Sequence, residues 1–418
     1  MTKPFLLFRG PVKTRSGYGA HSRDLLESLY NMNLFDIKID SCGWGSTPLT
    51  ALEEGNEFHK WINENIVTTL SNQPDIYIQV TVPNEFQRMG KYNIGITAGI
   101  ETTVAPKSWV DGCNRMDHII TTSTFSKDVL LQTVYNETEN TTGKLIKQYR
   151  IEKPISVLFE GVDTTIYNNQ YNGLEFDINE DFAYLFVGHW LKGDLGQDRK
   201  DVGMLIRCFV EAFKDEEVKP ALVLKTSSAS FSVKQREEFR KKIEKIVEQS
   251  NIQNPPSIYL LFGELTNNEM NELYNHPKIK AMVSITKGEG FGRPLLEFTM
   301  TGKPVIASNW SGHKDFLPMD KAVMVGGSLT EVHESVIDDF IIKGSKWFTA
   351  NYSEFAEVMK IVIKDYDKFL EKSELLREFN SENFTLDKMK DKFENIISQN
   401  TIQPKEHKLI LPKLTKIN

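Results

Sequence analysis

The sequence predicts an α/β protein of two doubly wound domains, each a parallel sheet wrapped by helices, facing each other across a cleft. Three observations lead there. Short apolar, β-branched runs alternate with helical patterns along the chain, and the scheme starts afresh near the middle. The 418 residues also exceed what one ordinary core accommodates.

In the first half, the runs at 4–8, 36–39, 75–80, 93–98, 118–123 and 155–159 read as strands. Leu25, Leu26 and Leu29 recur at helical spacing, which makes 20–30 a helix. Residues 136–143 are polar without a period and read as an exposed loop. The stretch 163–181, rich in Asn, Asp, Thr and Tyr, reads as the linker. Second-half strands are expected at 183–187, 221–225, 257–262, 281–286, 304–308 and 322–325, with amphipathic helices at 354–369 and 386–397. The expected domains are 1–165 and 166–380. Residues 381–418 would form a terminal helix and a Lys-rich tail packing back toward the first domain.

Composition narrows the function classes. Hydrophobic residues at 40% and charged residues at 26% belong to a globular protein rather than a disordered one. No apolar run is long enough to span a bilayer, and the N-terminal run is too short for a signal peptide, so a cytoplasmic location is expected. Cys42, Cys113 and Cys208 are scattered and odd in number, which reads as reduced thiols rather than a disulfide frame or metal site. A formal charge of -7 argues against a broadly basic nucleic-acid binder but leaves room for a local basic groove. Asp365-Tyr-Asp367 falls in a charged helical stretch and reads as a solvated face, so no metal is expected.

The chemistry-bearing block is Lys287-Gly-Glu-Gly-Phe-Gly-Arg-Pro-Leu-Leu-Glu297. It follows a predicted strand and opens a helix with Pro294 in its first turn. Its glycines let the backbone approach a ligand, and the amides and dipole at the helix start suit a diphosphate. Proline offers no amide, which leaves Gly292 and Arg293 as the expected donors. Glu289 and Glu297, eight positions apart, would then grip hydroxyls on either side of the phosphates.

With its continuation to Gly312, this block resembles the Glu-x7-Glu motif of retaining glycosyltransferases with the GT-B fold. That family includes bacterial mannosyl- and glucosyltransferases and glycogen synthases, and its fold is two Rossmann-like domains. Weaker similarity extends to about residue 397. The resemblance implies a nucleotide diphosphate sugar as donor substrate, no metal or other cofactor, and a hydroxyl acceptor. It assigns catalysis to Glu289 with Lys200 and Arg199, and donor binding to Glu297, Gly290, Phe291, Gly292 and Arg293 together with Gly17 and Gly19 of a Gly-rich first loop. On the acceptor side it places Tyr18, His21, Glu101 and Thr102, with Trp109 and Ser123 further along. Three departures stand out. His189-Trp190 and a long loop follow Gly188, where the family often has its arginine; Glu101 stands near a common histidine; and Glu160-Gly-Val-Asp163, read as structural, has Glu160 where histidine is commoner.

In the implied front-face displacement, the departing phosphate oxygen takes the acceptor proton. The acceptor could be a glycan, lipid or protein. Arg15-Ser-Gly-Tyr-Gly-Ala-His-Ser-Arg23 also looks like phage-encoded members, some of which glycosylate hydroxymethylated DNA bases, so duplex DNA is an alternative. Arg9, Lys13, Arg15, His21 and Arg23, and Lys144, Lys147, Arg150 and Lys153, each read as a solvated surface alone, but together with the Lys-rich tail they could receive an anionic acceptor of that kind. A non-catalytic nucleotide-sugar binding protein is a further alternative. A glycoside hydrolase fits poorly, because its carboxylates flank the scissile bond from opposite sides. So does a dinucleotide oxidoreductase, because Gly17–Gly19 lacks the required glycine pattern.

Overall fold

The computed structural model describes residues 3–227 and 232–401; the Lys-rich segment expected to be a tail lies outside the described residues. The first half runs β1 (Phe5–Gly10), α1 (Gly17–Met32), β2 (Asp36–Ser41), α2 (Glu57–Glu64), β3 (Ile76–Val80), β4 (Tyr92–Thr97) and α3 (Lys107–Arg115). It continues through β5 (His118–Thr121), α4 (Thr124–Gln132), β6 (Tyr135–Thr138), β7 (Leu145–Tyr149) and β8 (Ile155–Val157). The second half begins with β9 (Ala183–His189), α5 (Val202–Phe213), β10 (Ala221–Ser227), α6 (Val233–Gln249), β11 (Ile258–Leu261) and α7 (Asn267–Asn275). After β12 (Ile279–Ser284), α8 (Arg293–Thr299), β13 (Val305–Ser308) and β14 (Val323–Val325) come β15 (Gly327–Glu331), β16 (Lys346–Ala350), α9 (Tyr352–Lys364), α10 (Tyr366–Asn383) and α11 (Leu386–Thr401).

Two six-stranded parallel sheets result, in the orders β2-β1-β3-β4-β5-β8 and β11-β10-β9-β12-β13-β14. All twelve strands expected from the apolar runs are present. Their continuous hydrophobicity has a physical cause, since helices cover both faces of each sheet. Leu6 and Phe8 pack with α1 and α11 on one face of the first sheet, while Leu7 and Tyr77 pack with Trp109 and Val110 on the other. Strand order reverses between β1 and β3 in the first sheet and between β9 and β12 in the second. Open sheets of this kind bind ligands outside the carboxyl ends of the strands at such reversals.

Several expectations need correction. Residues 136–143 lie within a β-hairpin, in which Tyr135 pairs with Tyr149 and Glu137 with Lys147; its strands are exposed, so no apolar period betrays them. The antiparallel pair β15–β16 was also hidden from the sequence. The helix expected over 354–369 breaks at Asp365, so Asp365 and Asp367 straddle a junction rather than share one helix face. The stretch 163–181 has neither helix nor strand, but it is pinned to α7. Asn168 N–H donates to Asn271 (3.1 Å) and Asn172 N–H to Glu272 (2.9 Å).

The chain returns to its first half at the end. Val162 N–H donates to Phe384 O (2.9 Å) and Leu386 N–H to Val162 O (2.8 Å), so the two crossings between halves run side by side. α11 then lies along α1, with Lys390 paired to Glu27 at 3.0 Å.

Candidate functional site

The loop from β12 to α8 carries the Glu289 block and sits at the β9/β12 reversal. Residues 199–201 clamp it. Lys287 N–H donates to Arg199 O (2.7 Å), and the Arg199 guanidinium donates to Gly288 O (2.7 Å). Lys200 Nζ forms an ion pair with Glu289 Oε1, and Arg199 lies 3.6 Å from Glu289 Oε2. Arg199 also faces Glu101 of the first half at 3.6 Å, so it is a largely covered bridge between the halves, its side chain 16% exposed.

Electrostatics within this cluster follow from two cations serving one carboxylate. Burial alone would raise Glu289, but Lys200 and Arg199 outweigh it and hold the carboxyl down at about 2. Lys200 is also lowered, chiefly by burial; Glu289 pulls it up, but Arg199 repels it. Glu289 is therefore ionised at any physiological pH. Its backbone is fixed as well, because its N–H donates to Ser311 Oγ (2.9 Å) and its carbonyl accepts from Gly312 N–H (3.0 Å).

Lys287 anchors the loop from beneath. Its ammonium is buried 3.1 Å from Asp201 and 3.1 Å from Thr349 Oγ1, and its carbonyl accepts from Phe348 N–H in β16 (3.0 Å). Two residues earlier in β16, Lys346 exchanges two 2.9 Å hydrogen bonds with Thr103 of the first half. The hairpin missed by sequence reading thus ties the Glu289 loop to the loop bearing Glu101.

The expected donor residues divide. Gly292 has φ of 98°, a conformation glycine adopts freely, and no side chain caps α8 after it. The Arg293 guanidinium bonds Glu297 (3.0 Å) and reaches Asp24 on α1 (2.8 Å), linking the halves a second time. Glu297 also accepts from Tyr274 (3.2 Å), and burial raises its carboxyl despite Arg293. A cavity of about 560 Å³ opens between the halves here, lined by Glu297, Arg293, Gly17, Arg15, Lys225 and Ser227 among others. Phe291 points its ring into the core against Phe316.

Geometry also gives other expected site residues a place in the fold. Gly17, Tyr18 and Gly19 form the first turn of α1, not a loop. Gly19 N–H is spent on Ser16 Oγ (3.0 Å), and a side chain there would strike the Thr14 carbonyl, so close packing explains this glycine. Gly288 and Gly290 press against the main chain of Glu101 and Ala98, respectively, so both serve the approach of the other half. His21 is buried with neither ring nitrogen bonded among the described residues, and burial holds its imidazole down at about 4. Thr102 is buried and bonds Val104 O (3.1 Å); Trp109 lies in the core; Ser123 caps α4. The Tyr18 hydroxyl bonds Thr97 (3.0 Å) and Ala98 N–H (3.1 Å), and its ring stacks on Trp44.

Glu160, read as structural, is a buried carboxyl within electrostatic reach of Arg293, Asp24, Glu297 and Glu289. Burial pushes it up to about 7, with Asp24, Glu297 and Glu289 adding to the rise and Arg293 opposing it. Sequence reasoning also missed Asp24, Lys225, Ser227 and Ser311. Their one signal was position, since Ser227 and Ser311 end or follow strands at the cleft. Among the described residues no group of three His, Cys, Asp or Glu side chains is arranged to hold a metal, and no helix is long and apolar enough to cross a membrane.

Residues 236–341 match the family Glycosyl transferases group 1. No curated protein matches the chain. Among solved structures, a glycosyltransferase from Rickettsia africae is similar at TM-score 0.62 and 15% identity, covering 96% of this chain and 100% of its own. Sucrose-phosphate synthase from Thermosynechococcus elongatus is similar at 0.62 and 13%, covering 95% and 98%. HepE from Anabaena, solved in complex with UDP-glucose, follows at 0.59 and 14%, covering 95% and 100%. At such identities the likeness speaks to fold: two facing parallel-sheet domains, as in GT-B glycosyltransferases.

Proposed function

We propose that this chain, whose residues 236–341 match the group 1 glycosyl transferases, moves a sugar from a nucleoside diphosphate donor to a hydroxyl acceptor with retention of anomeric configuration. One observation carries the reading: an ionised, backbone-fixed Glu289 held by Lys200 and Arg199 at the reversal of the second sheet, with Arg199 reaching on to Glu101 of the other half. Two cations beside one carboxylate can serve both ends of a glycosyl phosphate. Lys200 and Arg199 neutralise charge developing on the departing diphosphate, and Glu289 holds the sugar hydroxyls and stabilises positive charge at the anomeric carbon. The Gly292 and Arg293 amides offer further donors to the phosphates. Glu297, at the wall of the 560 Å³ cavity, suits ribose hydroxyls.

The halves meet tightly around this centre, which excludes water from the reacting bond. Glu160, Glu101 and Asp24 are further carboxyls nearby, but the mechanism asks no strong base of them, since the leaving phosphate oxygen can take the acceptor proton. A metal has no part in these steps.

The test uses UDP-glucose and GDP-mannose as probes, with calorimetric binding, release of nucleoside diphosphate, and NMR of the product anomer. Glu289→Gln and Lys200→Ala are expected to lose ~10²–10³ in turnover while remaining folded. Wild-type turnover in either removes that residue from the mechanism, and an inverted product removes the retaining assignment.

A further inference from the structure

A second cavity, of about 350 Å³, lies outside the centre just described. Arg9 of β1, Gly43 after β2, Gln79 of β3, and Thr81, Glu85 and Gln87 beyond it contribute to its lining. It therefore opens at the carboxyl ends of β1 and β3, the pair between which the first sheet reverses, where α/β sheets place ligands.

We propose that this cavity is a subsite for a neutral, polyhydroxylated part of the acceptor, which makes the acceptor a glycan of at least two units rather than a phosphate-bearing molecule. The inference rests on the glycosyl-transfer reading. Charge is its first support. Arg9, the single lining cation among the described residues, is paired with Asp40 at 2.5 Å, and Glu85 adds a further carboxylate. The local balance is negative and repels anions. Hydrogen-bonding capacity is the second. Arg9, Glu85 and Gln87 line one space, and the Thr81 hydroxyl donates to Glu85 at 2.5 Å, so residues with both donors and acceptors suited to vicinal hydroxyls gather there. The Gln79 amide holds the wall by bonding Glu85 O and Gln87 N–H, both at 2.9 Å. Beneath it, the buried Tyr77 hydroxyl has no hydrogen-bond partner among the described residues and lies within electrostatic reach of Arg9 and Asp40.

Distance is the third support. Thr81 N–H donates to Ile96 O (3.1 Å), and Ala98, two residues further along that chain, packs on Gly290 of the reacting loop. One strand spacing and two residues make a span of roughly 8 Å, room for a unit beyond the one that reacts.

Gly43 supplies the test, because a Cβ there meets nothing within 4 Å and its φ is unstrained. Gly43→Trp should fill the cavity without disturbing the fold, as circular dichroism and melting would verify. Saturation-transfer NMR with maltose, cellobiose and mannobiose should show engagement of the native protein by at least one disaccharide. That engagement should weaken at least tenfold in Gly43→Trp, while UDP-glucose affinity stays unchanged. No engagement by any disaccharide, or engagement that survives Gly43→Trp, overturns the proposal. So does preferential capture of glucose 1-phosphate or a short DNA duplex at this cavity. Failure of the native protein to bind any nucleotide sugar, with disaccharide binding intact, sinks the glycosyl-transfer reading instead.

Discussion

Substituting Gly290 by alanine tests whether the glycines of the reacting loop serve the ligand or the meeting of the two halves. The added Cβ would stand 2.2 Å from the Ala98 carbonyl oxygen. Ordinary carbon–oxygen contacts sit at ~3.3 Å or more, so the rims must part by about 1 Å. Both atoms at risk are main chain, which leaves no flexible side chain to absorb the shift. A displacement of ~1 Å at a reacting centre costs on the order of 10²-fold in rate, about 2.7 kcal/mol of barrier. Gly290→Ala should therefore lower kcat ~100-fold while UDP-glucose affinity, measured by calorimetry, stays within about threefold. Gly288→Ala should behave alike, because its Cβ meets the Glu101 carbonyl. A wild-type kcat in Gly290→Ala refutes the steric argument. Loss of affinity in proportion to rate would mean that the glycine serves the donor.

Three more outcomes follow from the same geometry. Lys287→Met leaves Asp201 buried without its cation, and chemical denaturation should show a loss of about 3–5 kcal/mol, largely recovered in the Lys287→Met, Asp201→Asn double variant. Glu297→Gln should weaken nucleotide binding by about tenfold, the worth of ~1.4 kcal/mol, in a calorimetric titration with UDP; unchanged affinity would remove the ribose assignment. The third concerns His21, held at about 4 when folded against ~6.5 when unfolded. The unfolded chain takes the proton first, so this contribution to stability is full above ~6.5 and is lost as pH falls through 4, up to roughly 3 kcal/mol. The melting temperature of His21→Leu should accordingly fall less than that of the native protein between pH 7 and 4.

What the sequence disclosed and what it hid divide along contact distance. The strands were legible because a parallel sheet covered on both faces demands unbroken apolar runs, and the Glu289 block because its geometry lies within eleven consecutive residues. Arg293 to Asp24 spans 269 positions, and Arg199 to Glu101 joins the two halves; no local pattern announces either. Gly19 and Gly290 were visible as glycines, but the carbonyls that exclude a side chain at each came only with the fold. Glu160 was visible as a carboxylate, whereas its rise comes from burial and from acids brought near by folding. The first turn of α1 did have a signal, since Ser16 is a capping residue, but the glycines after it argued for a loop.

The side-by-side passage of the chain at Val162 and Leu386 has a mechanical consequence. Two covalent tethers joined by their own hydrogen bonds act like a door hung on two pins: swinging about their shared line stays soft, while sliding or twisting must tear the pins apart. Gly161 keeps that line tight, for the main chain of Thr385 and Leu386 leaves no room for a side chain there. A door so hung has one line to turn about, so a cleft that opened there would bring Thr103 back to Lys346 and Glu101 back to Arg199 on closing.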